Sequence, residues 1–301
     1  MDEEPRDKLL ELCYKLGGEG EPISVYTDDP LLRENTLLCD FTLSKKVDME
    51  LKIERADRVF RDFESSAVRS GILPIRNYDD VQHRFEGFQD FWISADTNIF
   101  LSCIFTRHIV PRLTQTNPDF WLLVILPKIC LIELEMMANN EKNGILTPIG
   151  RAGKRAIQEI MEIRSKVVNT NLLITGTISE STRILKNNVL KDLMIRQQAI
   201  EFYSKINVFG GMFFMTSDKT QALFAEAEGI PTLFVEQPHL KESTLDFSYR
   251  KLSKLLYELA VQFGGITMEN PKKRIALKGI WSAKSIDDWI NSEVRIEGGE
   301  Q

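Results

Sequence analysis

Residues 212–236, MFFMTSDKTQALFAEAEGIPTLFVE, read as a strand ending in polar residues, then a helix, then a second strand. The first strand is MFFMTSD (212–218), the helix covers about 219–228 and the second strand is TLFVE (232–236). Short continuous apolar runs of this kind suit strands buried on both faces, as in a parallel sheet covered by helices. The same pattern recurs upstream. FWISADTN (91–98), FWLLVILP (120–127) and NLLITGTI (171–178) are further candidate strands, with helical stretches at 128–140, 150–167 and 182–205. Alternating strands and helices predict an α/β fold, three layers α/β/α around a mainly parallel central sheet. In such sheets the functional crevice lies at the carboxyl ends of the strands.

Acidic residues fall at that edge. Asp96 ends the first of these strands and Asp218 the fourth, so both are expected on the same side of the sheet. A single aspartate at a strand end is ordinarily a turn former or a helix N-cap. Asp192 differs, because it lies three residues before Ile195 on the stripe formed by Ile195, Ala199 and Phe202. An acid facing a core is costly unless it is paired or binds a cation, and Arg196 at i+4 is the ordinary surface partner. Glu133 and Glu135 share one helix about 200° apart, so only one of them faces any given pocket, and periodicity does not choose between them.

Carboxylates gathered at about 5 Å with an effective dielectric near 20 repel by roughly 3 kcal/mol per pair. Such a cluster persists by taking up protons or by binding divalent cations. The three histidines (His83, His108, His239) and four cysteines (Cys13, Cys39, Cys103, Cys130) are scattered singly, so neither a zinc knuckle nor a disulfide framework is expected. Oxygen-only ligation favours Mg²⁺ or Mn²⁺. Two such ions about 3.5–4 Å apart activate a water and stabilise the leaving oxygen of a phosphodiester displacement.

The chain has 301 residues, of which 43% are hydrophobic and 27% charged, a globular composition that excludes collagen-like and wholly disordered classes. The length suits two domains, or one large domain with an extension. The net charge of -6 is uneven: residues 1–90 hold 21 acids against 13 Lys and Arg. Residues 142–191 hold nine bases (Lys142, Arg151, Lys154, Arg155, Arg164, Lys166, Arg183, Lys186, Lys191) and three acids. A second basic cluster is Lys272, Lys273, Arg274, Lys278 and Lys284. Basic patches on an acidic protein permit local contact with a polyanion, although solvated helix surfaces have the same composition. No apolar run reaches the roughly 18–20 residues of a membrane span, and MDEEPRDKLL is not a signal peptide, so a soluble cytoplasmic protein is expected.

Three regions follow. Residues 1–90 read as an acidic α+β accessory region, with strands at 23–27 and 36–43 and an amphipathic helix from Lys46 to Arg69. Residues 91–240 carry the strand–helix alternation and a basic insertion at 140–190. Residues 241–301 form a helical and β extension: 245–263 reads as a helix with Leu252, Leu255, Leu256, Leu259 and Phe263 on one side, a stripe that suits a core or a homo-oligomer interface. The following segment suits either a basic platform carrying Trp281 or a cap completing a sheet.

Four motifs carry a resemblance. ISADTNIF (93–100), LPKICLIELEMMAN (126–139), DLMIRQQAI (192–200) and MTSDKTQALFAEAEGIPTLFVE (215–236) resemble, in order and spacing, the successive motifs of PIN-domain nucleases. The arrangement also looks like the larger archaeal members with extra N-terminal sequence. The resemblance covers about residues 91–240. It implies metal-binding, catalytic acids at Asp96, Glu133, Asp192 and Asp218; Glu133 is preferred over Glu135 because the family's acid lies six residues past the proline, here Pro127. It implies supporting roles for Asn98, Thr216 and Ser217. The segment 140–190 is longer than in compact toxin-type members.

The family activity implied is Mg²⁺- or Mn²⁺-dependent endonucleolytic cleavage of single-stranded RNA by a metal-activated water. Lys154, Arg155, Arg183, Lys186, Lys191 and Arg196 are then the candidate phosphate contacts. Two other readings share the fold: a PIN-like scaffold that binds RNA or a protein without cutting, and a structure-specific DNA nuclease. Enzymes of the latter class usually carry a larger acid set and an arch for threading DNA; the segment 140–190 has the length for an arch, but the extra acids are not visible in this sequence.

Overall fold

The computed structural model describes residues 3–18, 20–32, 36–43, 48–53, 57–166, 169–176, 187–205, 211–240, 244–248, 251–279 and 294–297. The chain forms two compact units. One comprises Met1–Leu73, Glu141–Arg151 and His239–Gln301; the other comprises Pro74–Asn140 and Ala152–Pro238.

The elements up to residue 85 are α1 (Glu3–Gly17), β1 (Pro22–Thr27), β2 (Thr36–Thr42), β3 (Asp48–Ile53), α2 (Asp57–Arg69) and α3 (Tyr78–Phe85). Next come β4 (Asp90–Ala95), α4 (Thr97–Leu101), a π-helical turn (Phe105–Ile109), α5 (Val110–Thr116), β5 (Trp121–Pro127) and α6 (Lys128–Ala138). A short hairpin, β6 (Glu141–Lys142) and β7 (Ile145–Leu146), precedes α7 (Pro148–Lys166) and β8 (Thr170–Thr175). Then follow α8 (Asn188–Lys205), β9 (Gly211–Thr216), α9 (Lys219–Ala227) and β10 (Thr232–Phe234). The last are β11 (Thr244–Ser248), α10 (Leu252–Phe263), β12 (Gly265–Glu269), β13 (Arg274–Gly279) and β14 (Val294–Glu297).

In the first unit, the antiparallel sheet has the order β11-β3-β2-β1-β12-β13-β14, so N-terminal and C-terminal strands pair directly through β1 and β12. Helix α10 is buried on every side, Glu258 and Gln262 included, and its leucine stripe is therefore core. Gly264 ends it in the left-handed conformation (φ 75°), which only glycine adopts without strain. Two sequence readings change here. The helix expected from Lys46 begins only at Asp57, because DMELKI (48–53) alternates polar and apolar residues and pairs as β3. The helix expected from residue 245 begins at Leu252, because TLDFS (244–248) pairs with β3 as β11. Lys284 and Trp281 lie outside the described residues.

The second unit is a five-stranded, all-parallel sheet flanked by helices, in the order β10-β9-β4-β5-β8. The expected α/β class with a parallel sheet is what the chain forms. β4, β5 and β9 are almost wholly buried, which is why they read as unbroken apolar runs; β8, at the edge, leaves Leu173 and Ile174 exposed. The chain starts in the middle at β4, moves outward through β5 to β8, then crosses back to β9 on the other side of β4. The strand order therefore reverses between β4 and β9. A crevice opens at such a switch point, beyond the carboxyl ends of the two strands.

The π-helical turn Phe105–Ile109 holds a buried acid. Glu159 of α7 is fully buried and accepts from the Thr106 backbone N–H (3.1 Å) and hydroxyl (2.9 Å). Burial pushes its carboxyl up to about 8, with the Thr106 bonds and Arg155 opposing and Glu162 adding. The folded state thus keeps a proton that the unfolded chain releases near its ordinary value of 4.5. Stability is expected to fall as pH rises from about 4.5 to about 8. Glu159→Gln should flatten this slope, as read from melting temperatures at pH 5 and pH 8; an unchanged slope would mean that Glu159 is ionised in the fold. Among the described residues, no helix is long and apolar enough to cross a membrane.

Candidate active site

The register of β4 on β9 sets the centre of the site. Ala95 pairs with Met215, so Asp96 and Thr216 emerge side by side from neighbouring strands, and the Asp96 N–H bonds the Met215 carbonyl (3.1 Å). The Thr216 hydroxyl donates to Asp96 Oδ2, and its oxygen accepts from the Asp218 N–H (3.0 Å). One threonine therefore ties both aspartates to the switch point. Asp96 caps α4 through Oδ1 and the Ile99 N–H (3.2 Å). Asp218 caps α9 through Oδ1 and the N–H groups of Thr220 (2.7 Å) and Gln221 (3.2 Å). Both do what any strand-end aspartate does. Their shared neighbour and charge coupling set them apart.

Asp96 is only 3% exposed. Burial pushes its carboxyl up to about 7; hydrogen bonds from Thr216 and from the Ile99 and Asn98 backbone oppose this, and the charge of Asp218 adds to it. Asp192, one turn into α8, is raised first by burial and then by Asp218 and Glu133, while a Gln221 side-chain bond and Lys191 hold it down. Its stripe mates Ile195 and Ala199 are buried, so the helix phase read from sequence is that of the structure. Arg196 is engaged elsewhere, with Glu228 (3.0 Å) and Gln221 (2.5 Å).

Between the two glutamates of α6 the structure chooses. Glu133 turns inward, accepting from the Thr97 hydroxyl (2.7 Å) and pairing with Lys191 Nζ (2.5 Å), while Glu135 is exposed. Asp96, Glu133, Asp192 and Asp218 thus come to one end of the sheet, with the charge of Asp218 felt by Asp96 and by Asp192, and that of Glu133 felt by Asp192. They are not drawn tight: among the described residues, no group of three or more His, Cys, Asp or Glu side chains is close enough to hold a metal ion.

The remaining candidates fall as follows. Asn98 is exposed and contributes its backbone N–H to Asp96; the Ser217 hydroxyl accepts from the Gln237 amide (3.1 Å). Lys154 and Arg155 are buried, Arg155 within 3.5 Å of Glu162, so neither belongs to a solvent-facing basic surface. Arg183 and Lys186 lie outside the described residues. Three contributors escaped the sequence reading: Thr97, which holds Glu133; Gln221, which joins Asp192 to Arg196; and Lys191 as partner of an acid. The signal for Thr97 was present, since it directly follows Asp96 and opens α4.

A family model described as PIN domain matches residues 94–236. A solved domain of a functionally unknown protein from Methanocaldococcus jannaschii is 23% identical, over 50% of this chain and 95% of that one, with a TM-score of 0.38. None of the curated proteins compared matches the chain. The matched span begins inside β4 and ends just past β10, taking in the parallel sheet, its switch point and all four acids. Residues 94–236, the segment that carries the parallel sheet and the four acids, match the PIN-domain family.

Proposed function

We propose that this protein is an endoribonuclease that cuts single-stranded RNA with Mg²⁺ or Mn²⁺ held by Asp96, Glu133, Asp192 and Asp218. PIN domains are generally nucleases and typically use divalent metals. The observation that carries the reading is the pair Asp96 and Asp218 at the switch point, with Thr216 bonded to both.

The donor set fits a hard divalent cation. All four donors are carboxylates, and burial together with mutual repulsion raises Asp96 and Asp192, a cost that a cation among them relieves. A bound divalent cation neutralises charge at the phosphodiester and acidifies water there. The chain's own groups aim the acids: Thr216 and the Ile99 N–H fix both oxygens of Asp96, the first turn of α9 fixes Asp218, and Gln221 orients Asp192. Arg183 and Lys186 remain the phosphate contacts in this reading.

The test is to incubate the purified chain with end-labelled single-stranded RNA in Mn²⁺, Mg²⁺ or EDTA, with branched DNA in parallel. Internal cleavage of RNA in either cation and none in EDTA is expected. Preferential cutting of the DNA would shift the reading to a structure-specific DNA nuclease. A folded chain that cuts neither substrate would leave the scaffold reading, which one observation favours: a lysine already neutralises Glu133.

A further inference from the structure

Lys191 stands one turn into α8, near the end of a helix where a positive charge is disfavoured. Its ammonium nevertheless reaches across to α6 and lies 2.5 Å from Glu133 Oε1, while its charge also favours the ionised form of the adjacent Asp192. Both side chains of the ion pair are largely covered, Lys191 at 13% and Glu133 at 16% exposure, so solvent screens it less than a surface pair. The other oxygen of Glu133 is held by Thr97 (2.7 Å). Each Glu133 oxygen thus has a partner, and only one partner is a charged group on a flexible stem.

Resting on the nuclease reading of the site, we propose that Lys191 is a built-in counter-ion that competes with the divalent cation for Glu133. An ammonium in hydrogen-bond contact with Oε1 occupies the position from which that oxygen would ligate a metal, and its charge repels an incoming cation. Loading requires Nζ to leave, and the four-carbon stem of lysine permits this without movement of α6 or α8. Thr97 stays on the other oxygen and keeps the carboxylate aimed. Lys191 is a regulatory partner of the acid in this scheme, not a phosphate contact in the cation-free protein.

The competition is read directly from Mn²⁺ binding, by electron paramagnetic resonance of the free ion, on the wild-type chain, Lys191→Met and Lys191→Arg. Methionine keeps the stem and removes the charge; arginine keeps the charge. Lys191→Met is expected to bind Mn²⁺ at least 10-fold more tightly than wild type, and Lys191→Arg no more tightly. Melting curves in EDTA should place Lys191→Met below wild type, because an acid has lost its counter-ion, and saturating Mn²⁺ should reverse that order.

Equal or weaker Mn²⁺ binding by folded Lys191→Met overturns the proposal. If wild type still cleaves RNA, the nuclease reading survives. If neither chain binds Mn²⁺ or cleaves RNA, both fall. A wild type that neither binds nor cleaves, beside a Lys191→Met chain that binds, supports the competition and assigns the native protein to the scaffold class.

Discussion

Asp96→Asn is expected to abolish RNA cleavage and to leave the fold intact. Asp96 is the most buried of the four acids and sits where the strand order reverses. Loss of an outer partner of a metal ligand typically costs 10–100-fold, so neutralising the central acid should cost more than about 100-fold. Asparagine keeps a carbonyl oxygen to accept from the Ile99 N–H, so the cap of α4 survives, while its amide NH₂ replaces the oxygen that accepted from Thr216 and would donate to the Thr216 hydroxyl oxygen instead. Stability should move the other way. The carboxyl of Asp96 is raised to about 7 by burial, so at pH 8 the cation-free fold carries an ionised group that it disfavours. At pH 5 the fold holds a proton there and the penalty shrinks. Melting in EDTA should therefore show Asp96→Asn above wild type at pH 8, by a larger margin than at pH 5. Wild-type cleavage by this variant would remove Asp96 from the mechanism. A lower melting point at pH 8 would make its charge a structural cap instead.

The parallel sheet was legible because β4, β5 and β9 are covered on both faces and so leave unbroken apolar runs. The positions of Asp96 and Asp218 followed, since parallel strands deliver their carboxyl ends to one edge. The facing of Glu133 was not legible from periodicity. Helix α6 is apolar nearly all round, with Ile129, Cys130, Leu134 and Ala138 buried and Leu131 and Ile132 partly so, and such a helix has no phase to read. In the first unit, β3 and β11 are short strands whose alternation spans too few residues to displace a longer helical pattern. Lys154 and Arg155 misled because charges are ordinarily solvated; here Arg155 is enclosed beside Glu162. Lys191 was visible only as one base among nine, since a pair between α6 and α8 is made by tertiary structure alone.

The largest stability loss is expected at Arg151, far in chemistry from the acids. Arg151 lies in the Glu141–Arg151 segment, after a hairpin closed by Asn143 and Gly144, both at positive φ. Its guanidinium is 3% exposed and bonds the carboxylate of Asp29, the Gln262 carbonyl and the Leu146 carbonyl (2.7 Å). Gln262 in turn accepts from Arg69 (2.5 Å) and donates to Asp62 (3.0 Å), and Arg69 lies 3.4 Å from Glu258. Buried ion pairs contribute little against a hydrophobic replacement of the whole, but removing one partner strands the other. Arg151→Met leaves the buried Asp29 carboxylate held by the Leu31 N–H at 2.9 Å, with its charge uncompensated by the guanidinium. A loss of about 3–5 kcal/mol is expected from urea unfolding of this unit. Adding Asp29→Asn removes the stranded charge and should recover most of the loss, whereas additive losses in the double variant would mean that Arg151 acts through packing rather than charge.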